Sequence, residues 1–128
     1  MTLDDIAKLV LRLTLGILIL LHGIAKLMHG IGPIQGMVTG MGLPGFVAYG
    51  VYVGEVLAPL LLIIGFHARS AAALIAVNML FAIALAHSGD LTAFTGSGGW
   101  ALELQGMFLF TAVALALMGP GRIGVNQR

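Results

Sequence analysis

The chain contains no cysteine and few charged residues. Its 128 residues include six lysines and arginines and five aspartates and glutamates, so charged residues make up 9%. Without cysteine, the chain cannot form a disulfide or supply thiolates to a metal or an iron–sulfur cluster. Soluble domains are about 25% charged, so this composition excludes an ordinary soluble domain. The net charge of +1, with no cluster of basic residues, gives no sign of nucleic-acid binding.

Hydrophobic residues make up 59% of the chain and form four long apolar segments. The segments lie at about residues 6–28, 46–66, 70–87 and 100–118. A helix needs roughly 20 apolar residues to cross a bilayer, so each segment is predicted to be a transmembrane helix. The sequence therefore predicts an all-α protein, an integral membrane four-helix bundle that forms a single domain over residues 1–128.

The basic residues favour one orientation of this bundle. One side of the four predicted spans carries five of the six, which are Lys8, Arg12, Arg69, Arg122 and Arg128. Cytoplasmic loops are enriched in lysine and arginine, so both termini are predicted to be cytoplasmic. The expected location is the bacterial inner (plasma) membrane, with the lipid bilayer around a multi-pass chain.

The first predicted outer loop, residues 30–45, is long and rich in glycine. Its apolar residues Ile34, Met37, Val38 and Met41 are spaced at i, i+3, i+4 and i+7. This spacing predicts a short helix lying on the bilayer surface, and an ordered apolar loop is the alternative. The second outer loop, residues 88–99, is polar and carries Asp90.

Polar residues within the predicted spans are the main functional signal. A charge at the bilayer centre costs roughly 2.5–3.5 kcal/mol on insertion scales, so such residues usually face protein or a wet cavity. At about 1.5 Å of rise per residue, four helices place polar groups in the outer half of the bundle. These candidate site residues are His22, Lys26, Glu55, His87 and Glu103.

The depths of the charged residues suggest their partners. Lys26 and Glu103 have similar depths, so the simplest arrangement is a structural ion pair between the first and fourth spans. Glu55 lies between the depths of Arg12 and Lys26, and a pair with either is an alternative. Arg12 is also long enough to extend to the cytoplasmic headgroups instead.

Two further features are expected near Glu55. Pro59 lacks the N–H group that would bond the carbonyl oxygen of Glu55 in an α-helix, so a carboxylate and a freed carbonyl would lie at one level. Asn78 is expected to form a hydrogen bond between helices.

We predict that Glu55 and His22 act in proton transfer. The histidine spacing is not diagnostic of a haem or metal site, so no metal is predicted.

A series of short motifs extends along nearly the whole chain: His22-Gly23-Ile24-Ala25-Lys26, Gly42-Leu43-Pro44, Glu55, Gly65 with Arg69, His87, Glu103 and Gly119-Pro120-Gly121-Arg122. In the order and spacing of these motifs, the chain resembles the DoxX family of small four-helix membrane proteins. The resemblance implies four spans and a relation to the membrane subunit of thiosulfate:quinone oxidoreductase. It also implies a link to membrane redox and oxidative-stress complexes. Because the chain lacks cysteine, sulfur chemistry would require a partner protein or a mechanism without a thiol.

Together these features predict a membrane subunit of a quinone-linked oxidoreductase or a redox-protective complex. Quinone is the suspected cofactor, bound by His22, Lys26, Glu55, His87 and Glu103, and a redox protein is the expected partner. The alternative function is of a different class, namely that of a non-enzymatic scaffold or assembly protein. A small-solute transporter is disfavoured because the sequence has no inverted repeat, and it would require a homo-oligomer.

Overall fold

The computed structural model describes residues 1–86 and 99–126, and these residues are largely helical, with no strand among them. The two longest uninterrupted helices are α1, Leu3–His29, and α5, Ala68–Ala86, and the last helix is α6, Glu103–Met118. Between α1 and α5 lie the short helix α2, Gly32–Gly40, and a longer helical run. His87, Asp90 and the loop residues 88–98 lie outside the described residues.

The helical run between α2 and α5, which we call the composite helix, changes its hydrogen-bonding pattern along its length. It begins with the 3₁₀ turn Gly45–Tyr49 and continues through α3, Gly50–Tyr52. A π-helical turn, Val53–Leu57, then leads into α4, Ala58–Ile64. The π turn places Glu55 in the middle of the composite helix.

Three helices are long and apolar enough to cross a membrane. They are Leu3–His29, the composite helix Gly45–Ile64, and Ala68–Leu85. The first three predicted helices are therefore confirmed, with ends that differ by one to three residues. The helix α6 is apolar but shorter than predicted, with 16 residues. It begins at Glu103 because a turn precedes it, in which the Glu103 N–H donates to the Trp100 carbonyl at 3.1 Å.

The core lies where α1, α4, α5 and α6 meet. Buried residues from all four helices form it, among them Ile19, Leu62, Ile75 and Leu115. The buried alanines Ala68, Ala71 and Ala72 on α5 and Ala112 on α6 keep side chains small where helices pack. Small residues of this kind let helix backbones approach closely in membrane proteins. The packing of α5 along α6 therefore holds the short last helix in place.

The predicted short helix in the first loop is confirmed as α2. Its Val38 is buried together with Ile31 and with Ala48 of the composite helix. This packing fixes α2 against the beginning of the composite helix and close to α5. Its location at a bilayer surface stays a prediction.

Residues after α6 lie across the end of the bundle at which α1 begins and α4 ends. Asp5 forms a capping box with Thr2 at the start of α1 and also accepts the Arg122 backbone N–H at 3.1 Å. The Val125 N–H donates to the carbonyl of Ile64 at 3.1 Å, at the end of α4. The residues after α6 therefore connect α1 to the composite helix.

Candidate functional site

Three polar side chains from three helices meet beside the π turn. Lys26 Nζ of α1 lies 2.5 Å from Glu55 Oε1, and Asn78 Nδ2 of α5 donates to Glu55 Oε2 at 2.9 Å. Glu55 is 2% exposed, whereas the Lys26 side chain is 31% exposed. We call these residues the Lys26 cluster. Each oxygen of the buried carboxylate has a donor, which offsets the cost of removing the charge from water.

The backbone at Glu55 departs from an α-helix. In the π turn, the Ala58 N–H donates to the Val53 carbonyl, five residues earlier. Pro59 follows directly, and its lack of an N–H favours such a departure. π turns within α-helices are frequent at functional sites. The sequence analysis anticipated an irregular backbone at Pro59 but not a π turn.

Glycine allows α1 to approach this turn. A Cβ atom at Gly23 would collide with the carbonyl oxygen of Glu55. Gly23 lies three residues before Lys26, so the same close contact brings Lys26 near the carboxylate. Gly16, two turns earlier on α1, is buried as well.

A second glycine makes room for Asn78. A Cβ atom at Gly54 would overlap the Asn78 side chain. The absence of a side chain at Gly54 therefore allows Asn78 to lie against the composite helix and reach Glu55. The expected hydrogen bond of Asn78 between helices is confirmed, although the sequence did not identify its partner.

The Lys26 cluster borders a cavity of about 560 Å³. The cavity lies among α1, α2, the composite helix and α5, and its lining is mostly apolar. Its lining residues are Lys26, Ile34, Val38, Val47, Ala48, Gly50, Val51, Val53, Gly54, Glu55, Leu74, Val77, Asn78, Phe81, Ala82 and Leu85. A mostly apolar lining with few convergent polar groups is typical of a small-molecule site.

A smaller cavity of about 140 Å³ borders the same ion pair. Its lining residues are Ile19, His22, Lys26, Glu55, Met79, Ala82, Leu104, Gln105 and Phe108. The His22 ring packs edge-on against Phe108, with ring centroids 5.8 Å apart. The structure therefore brings His22, Lys26 and Glu55 to one region, and Lys26 and Glu55 border both cavities.

The predicted ion pair between Lys26 and Glu103 is corrected by the structure, which pairs Lys26 with Glu55. Glu103 is exposed at the first residue of α6, and its carboxylate lies beside Gly99. Similar depth along two helices does not fix the direction of their side chains, and the turn before α6 places Glu103 outside both cavities. His87, another predicted site residue, lies outside the described residues.

Arg12 forms a second buried cluster, which the sequence analysis missed. Its guanidinium, in a residue 1% exposed, donates to the carbonyls of Leu62 at 3.0 Å, Ile63 at 3.1 Å and Pro120 at 3.1 Å, and also to that of Ile123. We call this arrangement the Arg12 cluster. The prediction that Arg12 extends to the headgroups or pairs with Glu55 is wrong, because backbone carbonyls at a helix end and after α6 bind it instead.

The turn after α4 completes the Arg12 cluster. Gly65 adopts a left-handed conformation with φ of 75°, which glycine enters without steric cost. A Cβ atom at this position would lie 2.5 Å from Arg12 Nη2. In the sequence, Gly65 and the glycine-rich residues 119–121 indicate turns, but nothing links these turns to Arg12.

Within residues 1–86 and 99–126, no group of three or more histidine, aspartate or glutamate side chains is positioned to hold a metal ion. The Lys26 cluster, by contrast, has a ligand-sized cavity beside it. It provides an ammonium, a carboxylate and an amide next to an apolar cavity.

These features define a helical membrane protein with a polar cluster at an apolar cavity. The model of the DoxX family matches residues 7–88, and the chain belongs to this family. It is also 32% identical over 116 residues to "Putative oxidoreductase CatD" of Bacillus subtilis (strain 168), an alignment that covers 90% of this chain and 81% of that protein. No solved structure matches. The family match includes Arg12, Lys26, Glu55 and Asn78, whereas α6 lies beyond it.

Proposed function

We propose that this protein is the membrane subunit of a quinone-linked oxidoreductase or redox-protective complex, and that the larger cavity binds a quinone head group. The observation that carries this proposal is the position of the Lys26 cluster at an apolar cavity of about 560 Å³. Pockets for small molecules typically have volumes of about 300–1,000 Å³. The relative named an oxidoreductase supports a redox role without identifying a substrate.

The Lys26 cluster offers hydrogen bonds that suit both redox states of a quinone. An ammonium has three N–H groups, and the bond to Glu55 uses one of them. The others would donate to a quinone carbonyl oxygen. The Asn78 Nδ2 group donates to Glu55, which leaves the amide oxygen as an acceptor for a quinol hydroxyl.

Reduction of a quinone to a quinol takes up two electrons and two protons. In this proposal a redox protein partner supplies the electrons. Glu55 and His22 transfer protons, since Glu55 borders both cavities and His22 borders the smaller one. The sequence predicts that His87 and Glu103 complete the site. Of these two, Glu103 lies within the described residues, outside the two cavities.

We also propose four membrane spans with both termini in the cytoplasm of a bacterium. The helix α6 is the fourth span in this arrangement, and its 16 residues rise about 24 Å. The preceding apolar turn with Trp100 lengthens the apolar segment. The Lys26 cluster would then lie toward the outer leaflet and the Arg12 cluster toward the cytoplasm.

The direct test is a quinone titration of the purified protein in lipid nanodiscs. Glu55→Gln removes the charge with little change in shape, and quinone binding should weaken by about tenfold or more. Glu103→Gln is the matched control, because it makes the same chemical change outside both cavities. The proposal fails if the wild-type protein binds no quinone, or if the two variants behave alike.

A scaffold function is the second candidate, because both oxygens of the buried Glu55 carboxylate already have partners within the protein. No buried side-chain nitrogen or oxygen lacks a hydrogen-bond partner in the described part of the chain. Buried ion pairs can often be replaced by packed apolar residues without loss of stability. A scaffold would bind no quinone as wild-type protein and would keep its partners in the triple variant Lys26→Met, Glu55→Leu, Asn78→Leu. A quinone subunit would lose quinone binding in that folded variant.

A further inference from the structure

The larger cavity reaches the outer surface of the protein between two helices. Four of its large apolar lining residues are also well exposed: Val53 (42%), Leu74 (40%), Val77 (50%) and Phe81 (51%). Val53 belongs to the composite helix, and the other three belong to α5. We call this opening the portal. Its residues are all apolar, so in a membrane protein this surface faces acyl chains rather than water.

The polar groups of the cavity lie close to the portal. Asn78 directly follows Val77, and Leu74 and Phe81 lie four residues before and three residues after it. These spacings place the three portal residues of α5 within about 6 Å of Asn78 along the helix axis. A ring bound at the Lys26 cluster would therefore have its substituents at the portal.

The cavity is covered on another side by the short helix α2. Ile34 and Val38 of α2 line it, and Val38 is 2% exposed. Val38 also packs in the apolar cluster that contains Ala48 of the composite helix. The opening that remains between the composite helix and α5 is apolar, which favours entry from the lipid phase.

We propose that the ligand of the Lys26 cluster is a chain-bearing amphiphile that enters from the lipid, and that its apolar chain passes out through the portal. This inference rests on the proposed function and specifies the class of quinone, namely one with a long hydrocarbon tail. Val53, Leu74, Val77 and Phe81 thus form the subsite for the tail. They let the tail leave the cavity, while the Lys26 cluster binds the ring.

The tail subsite acts through shape rather than affinity. Lipid chains are as apolar as leucine side chains, so moving a tail from the bilayer to the portal gains little. Wild-type protein should therefore bind a decyl-substituted quinone and the same ring without its chain with mole-fraction dissociation constants that agree within about threefold. A blocked portal should exclude only the chain-bearing ligand.

The test compares these two ligands in variants that carry a bulky group on α5. Val77→Trp should weaken binding of the decyl quinone by about tenfold or more and change binding of the chain-free ring by less than about threefold. Leu80→Trp is the matched control, because Leu80 is 55% exposed on the same helix and does not line the cavity. It should alter neither affinity.

A second experiment avoids the risk that tryptophan disturbs folding. The natural chain has no cysteine, so Val77→Cys introduces a single thiol that can be modified with N-ethylmaleimide after the protein has folded. The adduct should block the decyl quinone selectively, and bound decyl quinone should slow the labelling. Leu80→Cys should show neither effect.

The outcomes separate the two proposals. If neither ligand binds wild-type protein, the proposed quinone function is wrong and the portal inference falls with it. If both ligands bind, but changes at Val77 affect both equally or neither, the quinone site stands and the portal is wrong. Equal effects of the Val77 and Leu80 changes would also overturn the portal.

Discussion

The Arg12 cluster and the Lys26 cluster both bury a charge, but they satisfy it in different ways. Arg12 donates to four backbone carbonyls, at the end of α4 and after α6. Glu55, by contrast, is held by side chains from two other helices. Arg12 lines neither cavity, whereas Lys26 and Glu55 line both.

This difference shows that a buried charge in an apolar helix does not by itself identify a functional site. Carbonyl groups at a helix end have no partner within the helix, and Arg12 supplies that partner for the composite helix. Its role follows from the fold. The Lys26 cluster combines charge with an adjacent cavity, and a small-molecule site requires such a space. We therefore expect loss of Arg12 to affect mainly stability, and changes near Lys26 to affect mainly binding.

The largest effect on stability is expected for Arg12→Met. It removes the guanidinium donor of four carbonyls, and each buried acceptor that is left without a partner costs about 1–3 kcal/mol of unfolding free energy. Reversible unfolding in mixed micelles measures this change. Lys8→Met removes a partly exposed charge from the same helix and should cost well under 1 kcal/mol. Quinone binding by folded Arg12→Met protein should stay unchanged. A loss of quinone binding without a loss of stability would contradict the structural role of Arg12.

The helices of this molecule were more predictable than its side-chain partners. Long apolar segments were sufficient to predict α1, the composite helix and α5, and the spacing of Ile34 and Val38 was sufficient for α2. Composition and periodicity report burial along one helix, which is why they succeed for elements of this kind.

The candidate site was predictable only in part. Lys26 and Glu55 stood out because ionisable residues are rare in apolar helices. Their pairing depends on the π turn and on the approach at Gly23, neither of which follows from depth along a helix. The acceptors of Arg12 lie 50 to 111 residues away, and they are carbonyl groups, which every residue has. Sequence therefore identified the donor but not its acceptors.

Gly23→Ala tests whether the backbone contact positions the Lys26 cluster. The new Cβ would collide with the Glu55 carbonyl, and because a backbone atom cannot turn aside, α1 must move from the composite helix. Overpacking of this kind costs about 1–3 kcal/mol, and binding of quinone should weaken because Lys26 moves with α1. Unfolding and quinone titration measure the two effects.

Gly36→Ala is the matched control for this change. A Cβ at Gly36, in α2, meets nothing within 4 Å. Alanine is favoured over glycine in a helix by about 0.5–1 kcal/mol, so this variant should be as stable as wild type or slightly more stable. Destabilisation of both variants to the same extent would show that the contact at Gly23 has no special role.

A smaller effect on stability than that of Gly23→Ala is expected for Gly54→Ala, because the contact at Gly54 is less close. The new Cβ would collide with the Asn78 Cβ, which rotation of the side chain does not move, so α5 and the composite helix would have to shift apart slightly. The hydrogen bond from Asn78 to Glu55 would break, at a cost of about 0.5–1.5 kcal/mol. When Asn78→Ala is added to the Gly54→Ala variant, the free energy of unfolding should then fall little further, because the hydrogen bond is already lost. If the second substitution costs as much there as in wild type, Gly54 does not position Asn78, and the amide reaches Glu55 without its help.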